Sequence, residues 1–308
     1  VLTITKPSNV SISGCTFDGG YSTVTTGYGI TIDNSTQVRI EHNRFQNTGY
    51  TGVRLINSQE VWITSNRFEN LQLSGIRSYE TTGTNACAYI WIRDNYFDHP
   101  VVAGANGHGA VLFGTHGEVE ATHTFIFVER NYINKSGHVS IGFNGVDHGF
   151  ISDNRVIGNG TVGECIAFAG SYNTVSRNIV NGCGAAGILI YGVNYATNTD
   201  ARIVDNLAWD NHAQGVAIAF GQNDVAFDSI LISGNKFWDS GSDIQHWGIQ
   251  VYDGGNTGGT ITNARILFND ISGCSRGGLS LGPYGISMGI WMNQDSTAVA
   301  NPLAPGSI

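Results

Sequence analysis

The chain of 308 residues has little proline, 5 residues, and little charge, with Asp, Glu, Lys and Arg making up only 13%. Set against 41% apolar residues, that excludes a disordered polar chain. Lys and Arg together number 15 and the net charge is −9, so there is no basic patch to neutralise phosphates. Nucleic acid and anionic membrane surfaces are therefore excluded as partners. No apolar run approaches the ~20 residues needed to span a bilayer. No charged-then-apolar leader precedes Val1, so a leader is expected either to have been removed or never to have existed. Cysteine is scarce and odd in number: Cys15, Cys87, Cys165, Cys183 and Cys274 fit neither a disulfide framework nor a paired-cysteine metal site. A Cys165 to Cys183 bridge would fall within one repeat of the pattern described below. With no His-Glu-x-x-His motif and no EF-hand loop, no metal site or cofactor is expected, although His and carboxylate side chains on neighbouring repeats could hold Ca²⁺.

Glycine, by contrast, is abundant at 42 residues without a collagen period, which assigns it to turns. Composition does not shift along the chain, so residues 1–308 are expected to form a single domain. Self-similarity is the strongest signal. An alternating apolar segment followed by an asparagine and a further apolar residue recurs nine times, carrying Asn43, Asn66, Asn95, Asn131, Asn154, Asn178, Asn206, Asn235 and Asn269, with Cys15 in the same slot of an earlier copy. A second alternating segment, usually opened by glycine, begins at Gly29, Gly52, Gly75, Gly109, Ser140, Cys165, Gly187, Gly215, Gly248 and Gly278, at spacings of 22 to 34 residues. Period two means strands. A unit of that length holds three short strands and three bends, and it buries its apolar face only by stacking on a copy of itself. The expected fold is all-β: a right-handed parallel β-helix of about ten to eleven three-strand coils with an asparagine ladder at one bend. There asparagine is expected to take the left-handed conformation and to pair with its counterpart one coil away.

Over roughly residues 2–293 the repeat resembles the pectin-lyase-like β-helix superfamily, whose coils carry the same Gly-apolar strand and Asn turn. That resemblance implies a substrate groove along the Gly-apolar strand and the bends beside it. It also sets one difference: the chain opens on a coil at Val1 without the amphipathic helix that closes the cylinder in that superfamily. Additional sequence or another subunit is expected to cover that end.

Alternation places the apolar positions of the Gly-apolar strand inward and the residue between them outward. The outward column is then Thr31, Arg54, Arg77, Val111, Ala167, Leu189, Ala217, Gln250 and Ser280, followed one pleat later by Asp33, Tyr79, Phe113, Tyr191 and Tyr252. Arg54 and Arg77 are one coil apart and should lie about 4.8 Å from each other along the stack. Two adjacent guanidinium groups suit a carboxylate or sulfate on a substrate, and equally a charge ladder with Asp33 and Glu80. Tyr79, Phe113, Tyr191, Trp247 and Tyr252 offer rings that can stack on sugar faces or on one another.

The bend before this strand carries His108, His138 and Glu164 on successive coils, and the bend after it carries His116, Glu118 and Glu120, then Asp147 and His148. Glycosidic hydrolysis needs two carboxylates about 5–10 Å apart, which Asp147 and Glu164 could supply, with Glu120 as substitute. Elimination from a uronate needs instead a base near the proton beside the carboxylate and a cation to neutralise it, roles open to His108, Tyr79 and Arg77. Two partial likenesses bear on the choice. Gly107-His108-Gly109 is similar to a motif of polygalacturonase-like hydrolases, whose companion motifs are absent here. Val146-Asp147-His148 is similar to the Asp-Pro-His of alginate epimerases and related lyases, lacking its proline.

The expected partner is an extracellular polysaccharide or oligosaccharide, and the expected activity is its cleavage, by hydrolysis ahead of elimination or epimerisation. A secreted or virion-surface location goes with it, and a homotrimer if the protein is tailspike-like. The competing expectation is a non-catalytic binding or structural module.

Overall fold

The computed structural model describes residues 2–20, 27–78, 86–98, 109–114, 123–158, 163–192, 197–220, 226–241, 244–252, 260–281 and 291–293. These form short strands, and no helix among them is long and apolar enough to cross a membrane. Every described strand pairing is parallel, each strand bonding to its counterpart one coil later. Sheet 1 contains eleven strands, from Leu2–Thr5 to Gly277–Leu281, and these number the coils. Sheet 2 runs from Ser8–Ser13 to Trp291–Asn293 and sheet 3 from Thr16–Asp18 to Asp270–Ser272. A small sheet of Thr197–Thr199, Ala226–Asp228 and Thr260–Thr262 lies between sheets 1 and 2 in the later coils. The architecture is the expected right-handed parallel β-helix, the hand being the one that right-twisted strands impose on parallel crossovers.

The core is a set of columns running through the stack. Phe17, Phe45, Phe68 and Phe97 stack from coil to coil with ring centroids 4.9, 4.8 and 4.7 Å apart. Burying such a side chain contributes roughly 1.5–3 kcal/mol. The phenylalanines also explain the recurring glycine. A β-carbon on Gly29, Gly52 or Gly75 would meet the ring of Phe45, Phe68 or Phe97 at 2.7, 2.8 or 2.5 Å. These glycines therefore make room for a ring across the cylinder, Gly52 and Gly75 from within strands, whereas Gly14, Gly114 and Gly145, with φ of 67° to 71°, serve turns as composition implied.

The asparagine ladder is continuous. Asn43 donates through Nδ2 to Oδ1 of Asn66 at 3.1 Å, and that same oxygen takes the backbone N–H of Asn43 at 2.9 Å. The pattern repeats through to Asn269, and at the other end Cys15 donates its backbone N–H to Asn43 at 3.0 Å. The left-handed residue is the one before each asparagine, as at His42, Ser65, Asp94, Arg130, Asp153, Arg177 and Asp205 with φ of 53° to 58°. The expectation that asparagine itself takes that conformation is corrected: it supplies the amide and its predecessor makes the turn.

Cys165 and Cys183 form a disulfide with Cα atoms 5.5 Å apart, while Cys15, Cys87 and Cys274 are thiols outside any disulfide.

Candidate functional site

Sheet 1 has an inner and an outer face, and its register decides which sequence candidates can reach a substrate. Thr31 pairs with Arg54, Arg54 with Arg77, and Arg77 with Leu112. The column then continues through Gly142, Ala167, Leu189, Ala217, Gln250 and Ser280. Two sequence assignments are corrected here. Gly109 pairs with Ser74, so this strand carries one more residue before its first inward position than its neighbours do. Val111 therefore faces inward in place of Leu112, and Phe113, expected as a substrate-binding ring, lies fully buried in the core, edge-on to Phe143 with centroids 5.9 Å apart. A ring in that position cannot touch a sugar.

The two arginines do stand side by side at one end of this face. Arg54 is half-buried with its guanidinium carbon 4.8 Å from the ring centre of Tyr28, and Arg77 is only 8% exposed. Beyond them the outer face changes character. Ala167, Ala169, Leu189, Tyr191, Ala217 and Ala219 form a second buried apolar cluster outside the cylinder, against which Val139 packs. The face is thus a band of mostly alanine apolar residues with guanidinium groups at one end and Gln250, to which Gln214 donates a hydrogen bond, at the other.

Polar candidates line the two borders of the band. On the side where the chain enters sheet 1, His138 and Glu164 occupy adjacent coils and are half-buried. On the side where it leaves, Asp147 and His148 follow one another in the sixth coil. Oδ1 of Asp147 accepts the backbone N–H of Ser171 at 2.7 Å, which fixes the carboxylate against the next coil. Among the described residues no hydrogen-bond partner is recorded for its other oxygen.

Asp147 and Glu164 lie at opposite ends of the sheet 1 strand, on adjacent coils. Ser140 donates its backbone N–H to the carbonyl of Glu164 before the strand begins, whereas Asp147 lies after it. The strand between them, Ile141–Phe143, has three residues and spans roughly 10 Å at about 3.3 Å each. Tyr79, His108 and Glu120, with His116, Glu118 and Glu80, lie outside the described residues. Trp247 is half-buried at the entering border of the tenth coil, Tyr191 is buried within the apolar cluster, and Tyr252 pairs with Ala219 in the strand Trp247–Tyr252.

His148 is held in a stack that the sequence reading missed. Tyr89, Phe125, His148 and Tyr172 sit at the entry to sheet 2 on four successive coils, with centroids 4.9, 4.9 and 4.8 Å apart. All four have φ of 55° to 59°, a conformation bulky side chains rarely adopt. Two residues further on, Trp62, Trp91, Phe127 and Phe150 stack in a parallel column. The signal was present as an aromatic residue at matching positions of consecutive coils. Stacking turns the ring faces toward one another, so only Tyr89 and Tyr172, 43% and 49% exposed at the two ends of the first column, have a face outside it.

His123 is fully buried at the corner between sheets 1 and 2, its Nδ1 accepting the backbone N–H of Cys87 at 3.0 Å, and burial pulls its pKa down to about 4. Among the described residues no cluster of three or more His, Cys, Asp or Glu is arranged to hold a metal ion.

Stacked parallel coils, an amide ladder and an outer band bordered by polar residues define the class of right-handed β-helix proteins. The family described as right handed beta helix region matches residues 2–126 and 91–237, and the chain belongs to it. No curated protein matches the chain. Among solved structures it is similar to the PfbA surface adhesin of Streptococcus pneumoniae, with 14% identity, a TM-score of 0.52 and coverage of 96% of this chain and 74% of that one. It is also similar to the mannuronan C-5 epimerase AlgE4 A-module of Azotobacter vinelandii (16%, 0.49, 94% and 80%). A mannuronic acid specific polysaccharide family 6 lyase from human gut microbiota is a third (15%, 0.48, 89% and 68%). At these identities the likeness is one of fold.

Proposed function

We propose that this β-helix acts on an extracellular polysaccharide bound along the outer face of sheet 1, with Asp147 as the proton-handling group at the border where the chain leaves that sheet. The observation that carries this reading is the pinning of Asp147 by the Ser171 N–H just past the end of sheet 1, in the strand Val146–Asp147 that pairs with the start of sheet 2, two coils beyond Arg77 of the Arg54–Arg77 pair. A fixed carboxylate is what proton transfer needs, and adjacent guanidinium groups suit an acidic sugar polymer. Elimination is favoured over hydrolysis, because the guanidinium pair suits an acidic polymer and Glu164 stands at the opposite end of the strand from Asp147. In this step Asp147 takes the proton from the ring carbon bearing the carboxylate. The electron pair forms a carbon–carbon double bond as the bond to the leaving sugar oxygen breaks, and that oxygen takes a proton from solvent. The Cys165–Cys183 disulfide supports an oxidising, extracytoplasmic setting.

The test is incubation with mannuronan, polygalacturonate and a neutral β-glucan while following ultraviolet absorbance and new reducing ends. Elimination raises both signals on an acidic polymer. New reducing ends without absorbance show hydrolysis instead.

A second reading, a non-catalytic saccharide-binding module, is favoured by the exposed ring faces of Tyr89 and Tyr172, which suit stacking on a sugar. It predicts binding without any change in polymer length.

A further inference from the structure

Asn144 stands in the same column of sheet 1 as Ala169, Tyr191 and Ala219, one coil before Ala169 and one position after the inward-facing Phe143. Those three neighbours belong to the apolar cluster on the outside of the cylinder, so Asn144 faces that side as well. Its side chain is 3% exposed, and among the described residues neither its Nδ2 nor its Oδ1 has a hydrogen-bond partner. This sets it apart from the other buried asparagines. Those of the ladder use both ends of the amide, as does Asn173, which donates to the carbonyl of Val146 and accepts from the backbone of Gly149. Asn198 uses one end, accepting from Gly170.

An amide buried with both ends unmatched lowers stability. Alanine would avoid that cost, and alanine is what the same column carries at Ala169 and Ala219. Asn144 also lies three residues before Asp147, at the bend between the strands Ile141–Phe143 and Val146–Asp147.

We infer that Asn144 is a specificity-determining residue of the candidate site, reading a pair of adjacent hydroxyl groups on the sugar bound beside Asp147. The amide presents a donor and an acceptor together. A carboxylate could satisfy only Nδ2, whereas two neighbouring hydroxyls satisfy both, one accepting from Nδ2 and the other donating to Oδ1. Because the amide is buried, a sugar lacking one of those hydroxyls leaves a polar group unpaired and is rejected strongly. The inference rests on the proposed saccharide function and deepens it.

The test compares wild type, Asn144→Ala and Asp147→Asn in melting temperature and in titration calorimetry and turnover with mannuronan, polygalacturonate and a neutral β-glucan. The oligosaccharide that binds is then compared with its monodeoxy forms. Asn144→Ala is expected to melt at or above the wild-type temperature while weakening saccharide affinity about tenfold or more. The variant is also expected to lose discrimination between the parent sugar and one monodeoxy form. Unchanged affinity in Asn144→Ala, or discrimination retained in it, overturns the inference even where Asp147→Asn abolishes turnover. If stability and affinity both fall, the monodeoxy comparison decides in the same way. Failure of wild type to bind any of the three polymers overturns the functional reading itself, and this inference with it.

Discussion

The Cδ1 atom of Phe68 lies 2.8 Å from the point where a β-carbon on Gly52 would stand, so the glycine that opens one coil's sheet 1 strand is the space into which the same coil's sheet 3 phenylalanine packs. Substitution Gly52→Ala should therefore destabilise the helix by about 1–3 kcal/mol through overpacking, with no turn to disrupt. Phe68→Leu in the same chain should recover part of that loss. A double-mutant cycle from urea midpoints measures the coupling, and simple additivity would show that Gly52 and Phe68 are not matched.

The asparagine ladder predicts a gradient of sensitivity. Asn131 is buried and bonds to Asn95, Asn154 and the carbonyls of Ile92 and Glu129. Asn131→Ala should cost about 3 kcal/mol or more, since several buried partners lose their bonds. Asn269, half-buried at the last rung, should cost clearly less. Equal losses in chemical denaturation would contradict a ladder whose strength comes from burial.

The disulfide closes a loop between residues separated by 18 in sequence. By chain entropy it stabilises by about 3 kcal/mol, so a reducing agent should lower the melting temperature of wild type and leave a Cys165→Ala/Cys183→Ala chain unaffected. A reductant effect of the same size in the double variant would assign it to another cause.

His123 gives the chain a pH signature. Burial holds its folded pKa at about 4 against 6.5 unfolded, so the unfolded chain binds the extra proton between those values. The associated stability is fully present above about pH 6.5 and is lost as pH falls toward 4, reaching about 3 kcal/mol at 1.36 kcal/mol per unit. His123→Gln should flatten the stability profile across this window. A profile of unchanged slope would remove His123 as its source.

The stack was legible because its determinants repeat: nine asparagines at one position and apolar alternation between them fix coil number and strand order. The register of a single strand was harder, since Gly109-Ala110-Val111 carries one residue more than Gly75-Ile76, and a slip of one exchanges core for surface. That slip put Phe113 on the wrong face. Of the candidate site, the pairing of Arg54 with Arg77 followed from one uniform coil length. Asn144 did not, because nothing in a sequence distinguishes a buried amide that is bonded from one that is not. The aromatic columns at Tyr89 and Trp62 were missed for a different reason: in a half-buried strand an aromatic residue reads as core, and its outward orientation emerges only from the register of neighbouring coils.

The central claim, that Asp147 handles the proton in polysaccharide cleavage on the outer face of sheet 1, is tested most directly by the chain-length distribution of mannuronan and polygalacturonate after incubation with wild type and with Asp147→Asn. Wild type should shorten one of these polymers, and the variant, at an unchanged melting temperature, should leave it at full length. Equal shortening by both proteins would contradict the assignment.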